Sequence, residues 1–219
     1  MTTRREANTG ILVGATVAAA RSAAAQAPQK ARGLPKPQMD AGMPLMAALK
    51  LRRSTREYSS RPLSDQTLSN LLWAAFGINR PSGDRTAPYW RHIMVIDVYL
   101  AMADGLFVYE PKDHALVPYM KDDIRADTGL QDFCATAPLN LVFVAHGDRM
   151  KDVSPEDRRL YASVDAAFIG QNVYLYCASE GLASVFRGAV DYEKLARRMK
   201  LPEQEFVTFA QTVGYARGG

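Results

Sequence analysis

The run Leu139-Asn-Leu-Val-Phe-Val-Ala145 leaves this chain few ways to fold. Apart from Asn140 it is apolar at both parities of a strand. Both of its faces must therefore be covered, which places it in the middle of a sheet with layers on either side. A second long element follows it. Ser154-Pro155 is a strong helix start, and the periodic positions Tyr161, Val164, Phe168 and Leu175 carry a helix to about Glu180, where Gly181 is the stop signal.

Shorter elements surround these two. Leu45, Met46, Leu49 and Leu51 give a helix over 44–53 behind Pro44. Ser64 caps a helix over 64–76, with Leu68, Leu71, Leu72 and Phe76 on one face and Gly77 as its stop. Strands are expected at 92–100, 105–109, 115–119, 183–186 and 206–215, and a helix at 191–199 behind Asp191. The loop 110–114 between the second and third of these strands reads as a hairpin connection. Helices and strands mix without βαβ alternation, so the fold class is α+β.

At 219 residues the chain has room for one full core. Its formal charge is +4, of which Arg4, Arg5 and Arg21 against Glu6 supply +2. Basic and acidic residues elsewhere are interleaved, so there is no basic stripe and no nucleic-acid partner is expected. Cys134 and Cys177 sit in apolar contexts without metal-ligand spacing. They read as buried free thiols, with a single disulfide as the alternative. His92, His114 and His146 are scattered and form no metal set.

Residues 1–27 are expected to be an export signal. Arg4-Arg5 is the basic region, Gly10–Ala20 a weakly apolar stretch too short to span a bilayer, and Ala25-Gln26-Ala27 a small-x-small cleavage pattern. The paired arginines, the mild hydrophobicity and Arg21 are similar to a twin-arginine signal. This implies a periplasmic or otherwise exported protein with no stable membrane anchor after cleavage. Residues 28–42 read as a Pro-rich linker and 43–219 as the domain.

Three constellations carry chemistry. Arg52-Arg53-Ser54-Thr55-Arg56 concentrates guanidinium forks and hydroxyls, donors suited to a phosphate dianion. Pro81-Ser82-Gly83-Asp84-Arg85-Thr86-Ala87-Pro88 is a turn-rich loop. Asp165, Gly170, Gln171 and Asn172 lie on the long helix, followed by Gly181-Leu-Ala-Ser-Val-Phe-Arg-Gly188. In this order and spacing they resemble the FMN-dependent nitroreductase-like superfamily over about residues 43–217. Within it the chain looks most like the branch of SagB-type dehydrogenases.

The resemblance implies a central, mostly antiparallel sheet flanked by helices. It also implies an obligate homodimer with the long helix at its interface and FMN bound between subunits. Arg52 and Ser54 match positions that hold the FMN phosphate, and Arg53 lines the same turn. Arg56 matches the cation beside the N1/O2 edge of the flavin, where negative charge gathers on reduction. Arg85, in the loop with Pro81, Ser82 and Gly83, matches a residue reaching the flavin ring. Arg187 and Gly188 match the turn whose main chain approaches the ring, and Arg217 is the basic residue near the end of the chain.

Each arginine has a plainer reading. Arg56 pairs with Glu57 or Asp65, Arg85 is a solvated loop residue, and Arg187 is a strand-end surface charge. Gln171 and Asn172 are read as polar contacts at the dimer seam. Tyr89, Trp90 and Tyr119 are read as core residues, with stacking over a flavin or substrate as the alternative. No protein side chain is assigned as catalytic, since the flavin carries the chemistry, and no metal is expected. The implied function is an exported FMN-dependent oxidoreductase acting on a small-molecule substrate, with a quinol or redox partner as donor in place of NAD(P)H. The alternatives are an azoline-type dehydrogenase acting on a modified peptide, and a non-catalytic flavin-binding protein of the same fold.

Overall fold

A computed structural model describes residues 30–218. The expected export signal at 1–27 lies outside the described residues. Seven strands form one sheet in the order β1-β4-β3-β2-β5-β7-β6, with every neighbouring pair antiparallel. They are β1 (Arg32–Gly33), β2 (Ile96–Met102), β3 (Gly105–Glu110), β4 (Ala115–Met120), β5 (Leu139–His146), β6 (Ala183–Arg187) and β7 (Glu205–Gly214). The helices are α1 (Leu45–Leu51), α2 (Asp65–Phe76), α3 (Phe133–Thr136), α4 (Pro155–Ser179) and α5 (Tyr192–Met199).

β5 is central and buried along its whole length. Leu139, Leu141, Phe143 and Ala145 join the core shared with α2 and α4, while Val142 and Val144 join the core beside α5. This two-sided burial is why the run tolerates no polar parity. Truncating Phe143 would remove about 3–5 kcal/mol. Asn140 is the exception, and its amide donates to the Cys134 carbonyl (2.8 Å).

The helix starts follow from their caps. The Ser64, Ser154 and Asp191 side chains accept from the Thr67, Asp157 and Lys194 amides at 3.1, 3.1 and 3.0 Å. α4 ends where Gly181 takes φ +69, and Leu182 N–H then returns to the Cys177 carbonyl. Gly170 lets α4 sit against β6, because a Cβ there would strike the Phe186 ring.

Several expectations change. Residues 30–42 pack on the domain and are not a free linker. Arg32–Gly33 pairs with Leu116 and Ala115, and the Pro35 carbonyl accepts from Ser69. β2 starts at Ile96, not near residue 92, because Arg91 and His92 both adopt left-handed backbone angles (φ 46 and 57). Asn172 donates to the Ala75 carbonyl of α2 in the same chain, so that contact belongs to intrachain packing. Both cysteines are buried free thiols. Among the described residues no helix is long and apolar enough to cross a membrane, and no cluster of metal-ligating side chains occurs.

The neighbouring helices α1 and α4 leave large apolar side chains in solvent. They are Leu45, Met46, Leu49 and Leu51 on or ending α1, and Leu160, Tyr161, Val164 and Phe168 on α4.

Candidate functional site

The arginine loop begins where α1 stops. Arg52 leaves helical geometry, and Thr55 N–H bonds to the Ser184 carbonyl, so the loop lies along β6, the edge strand. Tyr174 of α4 organises it. The Tyr174 hydroxyl meets Ser54 Oγ at 2.7 Å and accepts from Phe186 N–H at 2.8 Å, and the Arg52 guanidinium lies 5.1 Å from the ring centre. Arg53 lines a small groove with Tyr174, Cys177 and Ser184. Arg56 opens onto a larger cavity of about 610 Å³, shared with Tyr58, Leu130, Gln131, Phe133 and Arg217. Arg217 is tied in through its N–H to the Glu57 carbonyl (3.2 Å) and the adjacent Tyr58–Ala216 bridge.

Among the described residues no carboxylate lies within 4 Å of the guanidinium of Arg52, Arg53, Arg56 or Arg217. The pairing of Arg56 with Glu57 or Asp65 does not occur. Asp65 instead pairs with Arg32. The loop is thus a concentration of positive charge held open by Tyr174 and β6.

Behind the cavity stands Arg187, only 4% exposed. Its Nε, Nη1 and Nη2 donate to Thr212 Oγ1 (3.1 Å), the Thr128 carbonyl (2.9 Å) and Asn140 Oδ1 (3.2 Å). Burial pushes this guanidinium below its ordinary pKa. Arg187 is therefore neither a surface charge nor a side chain available to a ligand, because strand parity turns it inward. What it holds is the cavity wall. Leu130 N–H bonds to the Ala189 carbonyl, beside the Arg187–Gly188 turn. Gly129 must be glycine, since a Cβ would collide with the Arg187 guanidinium. Gln131 Oε1 in this wall is buried without a partner. A Cβ on Gly188 would meet nothing closer than 3.5 Å, so packing within the chain does not demand glycine there.

The loop 81–85 lies elsewhere. It is closed by the Ile78–Arg85 bridge and by Asp84, whose carboxylate accepts from Ser82 Oγ (2.7 Å) and Tyr89 OH (2.5 Å). These bonds, with that to Tyr89 foremost, hold the Asp84 carboxyl well below its usual pKa range. Gly83 takes φ +87, which suits glycine. The following turn docks on α4. Trp90 stacks on Tyr161, and Trp90 N–H donates to Asp165 Oδ2 at 2.9 Å. Burial raises the Asp165 carboxyl to about 6. Asp165 and Tyr174 are nine residues apart, roughly 14 Å along the helix, so the two regions do not meet within one chain. Pro81 and Ser82 are exposed, but Arg85 is not the solvated residue expected. Its side chain turns inward to the Met94 sulfur and the Phe76 ring.

Comparison with known proteins gives the family. The nitroreductase family model matches residues 49–215, from the arginine loop through β7. The chain belongs to the nitroreductase family. A candidate nitroreductase of Methanocaldococcus jannaschii is 30% identical, over 69% of this chain and 82% of the relative. The crystal structure of a candidate nitroreductase from Ralstonia eutropha superposes with a TM-score of 0.83 at 45% identity, covering 87% of this chain and 91% of that one. The NADPH:FMN oxidoreductase of Vibrio harveyi, complexed with NAD+, shares the fold at 18% identity and TM-score 0.58, over 79% of this chain and 69% of that one.

In this nitroreductase-family chain, Arg52, Arg53, Ser54, Arg56, Arg187, Gly188 and Arg217 gather at the β6 end, while Pro81, Ser82, Gly83 and Arg85 do not. Sequence reasoning missed Tyr174, Gln131 and Gly129. Tyr174 was hidden among the aromatic residues of a long helix. Gly129-Leu-Gln131 carries no charge and lies in a loop.

Proposed function

We propose that this chain is an exported FMN-dependent oxidoreductase that passes electrons between a donor and a small-molecule acceptor. The oxidoreductase role follows the family. The choice of FMN rests on one observation: a loop of arginines without acidic partners, beside a cavity of about 610 Å³ whose wall leaves Gln131 Oε1 unpaired. Arg52 and Ser54 would hold a terminal phosphate through charge-assisted bonds. Arg56 and Arg217 would face the polar edge of a ring in the cavity, and Gln131 Oε1 would accept from a ring N–H. Gly188, free of crowding from its own chain, leaves its main chain open to close approach. When bound, FMN supplies the hydride and electron chemistry.

The chain is proposed to act as a homodimer. The exposed apolar side chains of α1, which runs into the arginine loop, and of the N-terminal half of α4 are costly in water. Pairing through them would bring a partner's Pro81–Gly83 loop toward a cavity that its own chain cannot reach. Export through the first 27 residues, with a quinol or redox partner as donor, remains part of this reading, as does kinship with the SagB-type branch.

The test is anaerobic redox cycling of the purified protein. The flavin spectrum should bleach with a quinol analogue faster than with NADPH and recover with a nitroaromatic or quinone acceptor. A bound flavin that no donor reduces would make this a flavin-binding protein without turnover.

A further inference from the structure

The cavity between the end of α2 and strands β2 and β3 takes no part in the reading above. It measures about 250 Å³ and is lined by Phe76, Arg85, Asp97, Val108, Glu110 and Arg149, among others. Arg85 is the anomaly in it. The residue is only 9% exposed, and Nη1 is buried with no hydrogen-bond partner. Its Nε and Nη2 reach only the Met94 sulfur, at 3.3 and 2.8 Å, and a thioether is a weak acceptor. Among the described residues no carboxylate lies within 4 Å of its guanidinium.

The two acids of the cavity make their direct contacts elsewhere and reach Arg85 only at longer range. Asp97 is held by His146 (2.7 Å) and Arg149 (3.6 Å), and Glu110 accepts from Lys112 N–H (2.9 Å). Arg149 is further committed to the Met94 carbonyl. The Arg85 guanidinium is therefore left in a buried place with no oxygen acceptor, its charge answered only at longer range by Glu110 and Asp97 and across the Phe76 ring. Burial alone does not force this outcome. Arg187 is buried more deeply and satisfies all three of its nitrogens.

We propose that this cavity is a binding site for a small organic carboxylate, recognised by the Arg85 guanidinium. The fork of N–H groups matches two carboxylate oxygens. Phe76, Ile96 and Val108 give an otherwise polar lining an apolar portion that suits an organic body. The volume allows an aromatic acid, since a cavity of about 150 Å³ already admits benzene. The site lies apart from the arginine loop and does not depend on flavin.

The experiment is calorimetric titration of the purified protein with benzoate and with its neutral isostere benzamide, at constant ionic strength. Benzoate should bind at one site per chain, at least tenfold more tightly than benzamide, and should shift the Arg85 Nε–H resonance. Arg85→Gln should weaken benzoate at least tenfold. Val108→Phe, which fills the cavity and leaves Arg85 in place, should do the same and decides the matter if the first variant does not fold. The visible spectrum of any bound flavin should not change on benzoate addition. Equal binding of the two probes, benzoate binding that survives both substitutions, a flavin spectrum that responds to benzoate, or no binding at all overturns the proposal.

Discussion

Two parts of the fold treat buried arginine in opposite ways. On the face of β6 away from α4, Arg187 sits in the core with Thr128, Asn140 and Thr212 around it, and it serves as scaffold. Between α2 and strands β2 and β3, Arg85 sits almost as deep with only a thioether and the Phe76 ring to answer it. Burial and charge are the same, and satisfaction differs. The lesson is that depth does not mark a binding residue, whereas an unmet donor does. At the β6 edge the unmet groups are the arginines of the 52–56 loop and Gln131, and they surround the candidate site.

Breaking the scaffold should have the largest effect. Gly129→Ala drives a methyl group into the Arg187 guanidinium and should cost about 3 kcal/mol of stability, read as a shifted denaturant midpoint. A midpoint within experimental error of the parent would mean that Arg187 is not pinned there.

Removing an open arginine should act on binding and spare folding. Arg52→Ala should weaken FMN by about 1.5–3 kcal/mol, with an unfolding midpoint close to the parent's. Equal losses in folding and in binding would erase the contrast between scaffold and site.

Asp165, which holds the turn after the 81–85 loop, sharpens the comparison. Burial lifts its carboxyl from 3.8 to about 6 in the folded chain. The folded state therefore favours the protonated form. Its stabilising contribution is complete below about pH 4 and is lost as pH rises through about 6. Asp165→Asn keeps an acceptor for Trp90 N–H without the charge. It should raise stability by about 2 kcal/mol at pH 7 and change little at pH 4, as melting curves across that window would reveal. A gain that is the same at both pH values would point to packing instead.

The smallest effect is expected from Tyr174→Phe. This substitution keeps the ring under Arg52 and removes the hydroxyl between Ser54 and Phe186 N–H. FMN affinity should fall by about 1 kcal/mol. No change would leave Ser54 positioned by the backbone alone.

Much of this molecule could be read in one dimension. β5 declares its central place by being apolar at both parities, and α4 declares its ends through Ser154-Pro155 and Gly181. The charges of the 52–56 loop were legible because three arginines within five residues stand out in sequence alone, while their lack of acidic partners shows only in the fold. What was not legible depends on partners far along the chain. Tyr174 meets Ser54 across 120 residues, and Gly129 is explained only by Arg187 lying beneath it. β1 has two residues and no apolar signature, so it was read as linker. Arg187 left a faint clue, because in Ala183–Arg187 it shares parity with the buried Val185. Nothing local told which way Arg85 would turn.

The central claim is that the arginine loop along β6 is a phosphate-reading flavin site. Fluorescence titration of the flavin-free protein with FMN and with riboflavin, which lacks the phosphate, tests it most directly. The account predicts that FMN binds at least tenfold more tightly, and that Arg52→Ala brings the two ligands close to equal. Equal binding of FMN and riboflavin by the parent protein, or no binding of either, would contradict it.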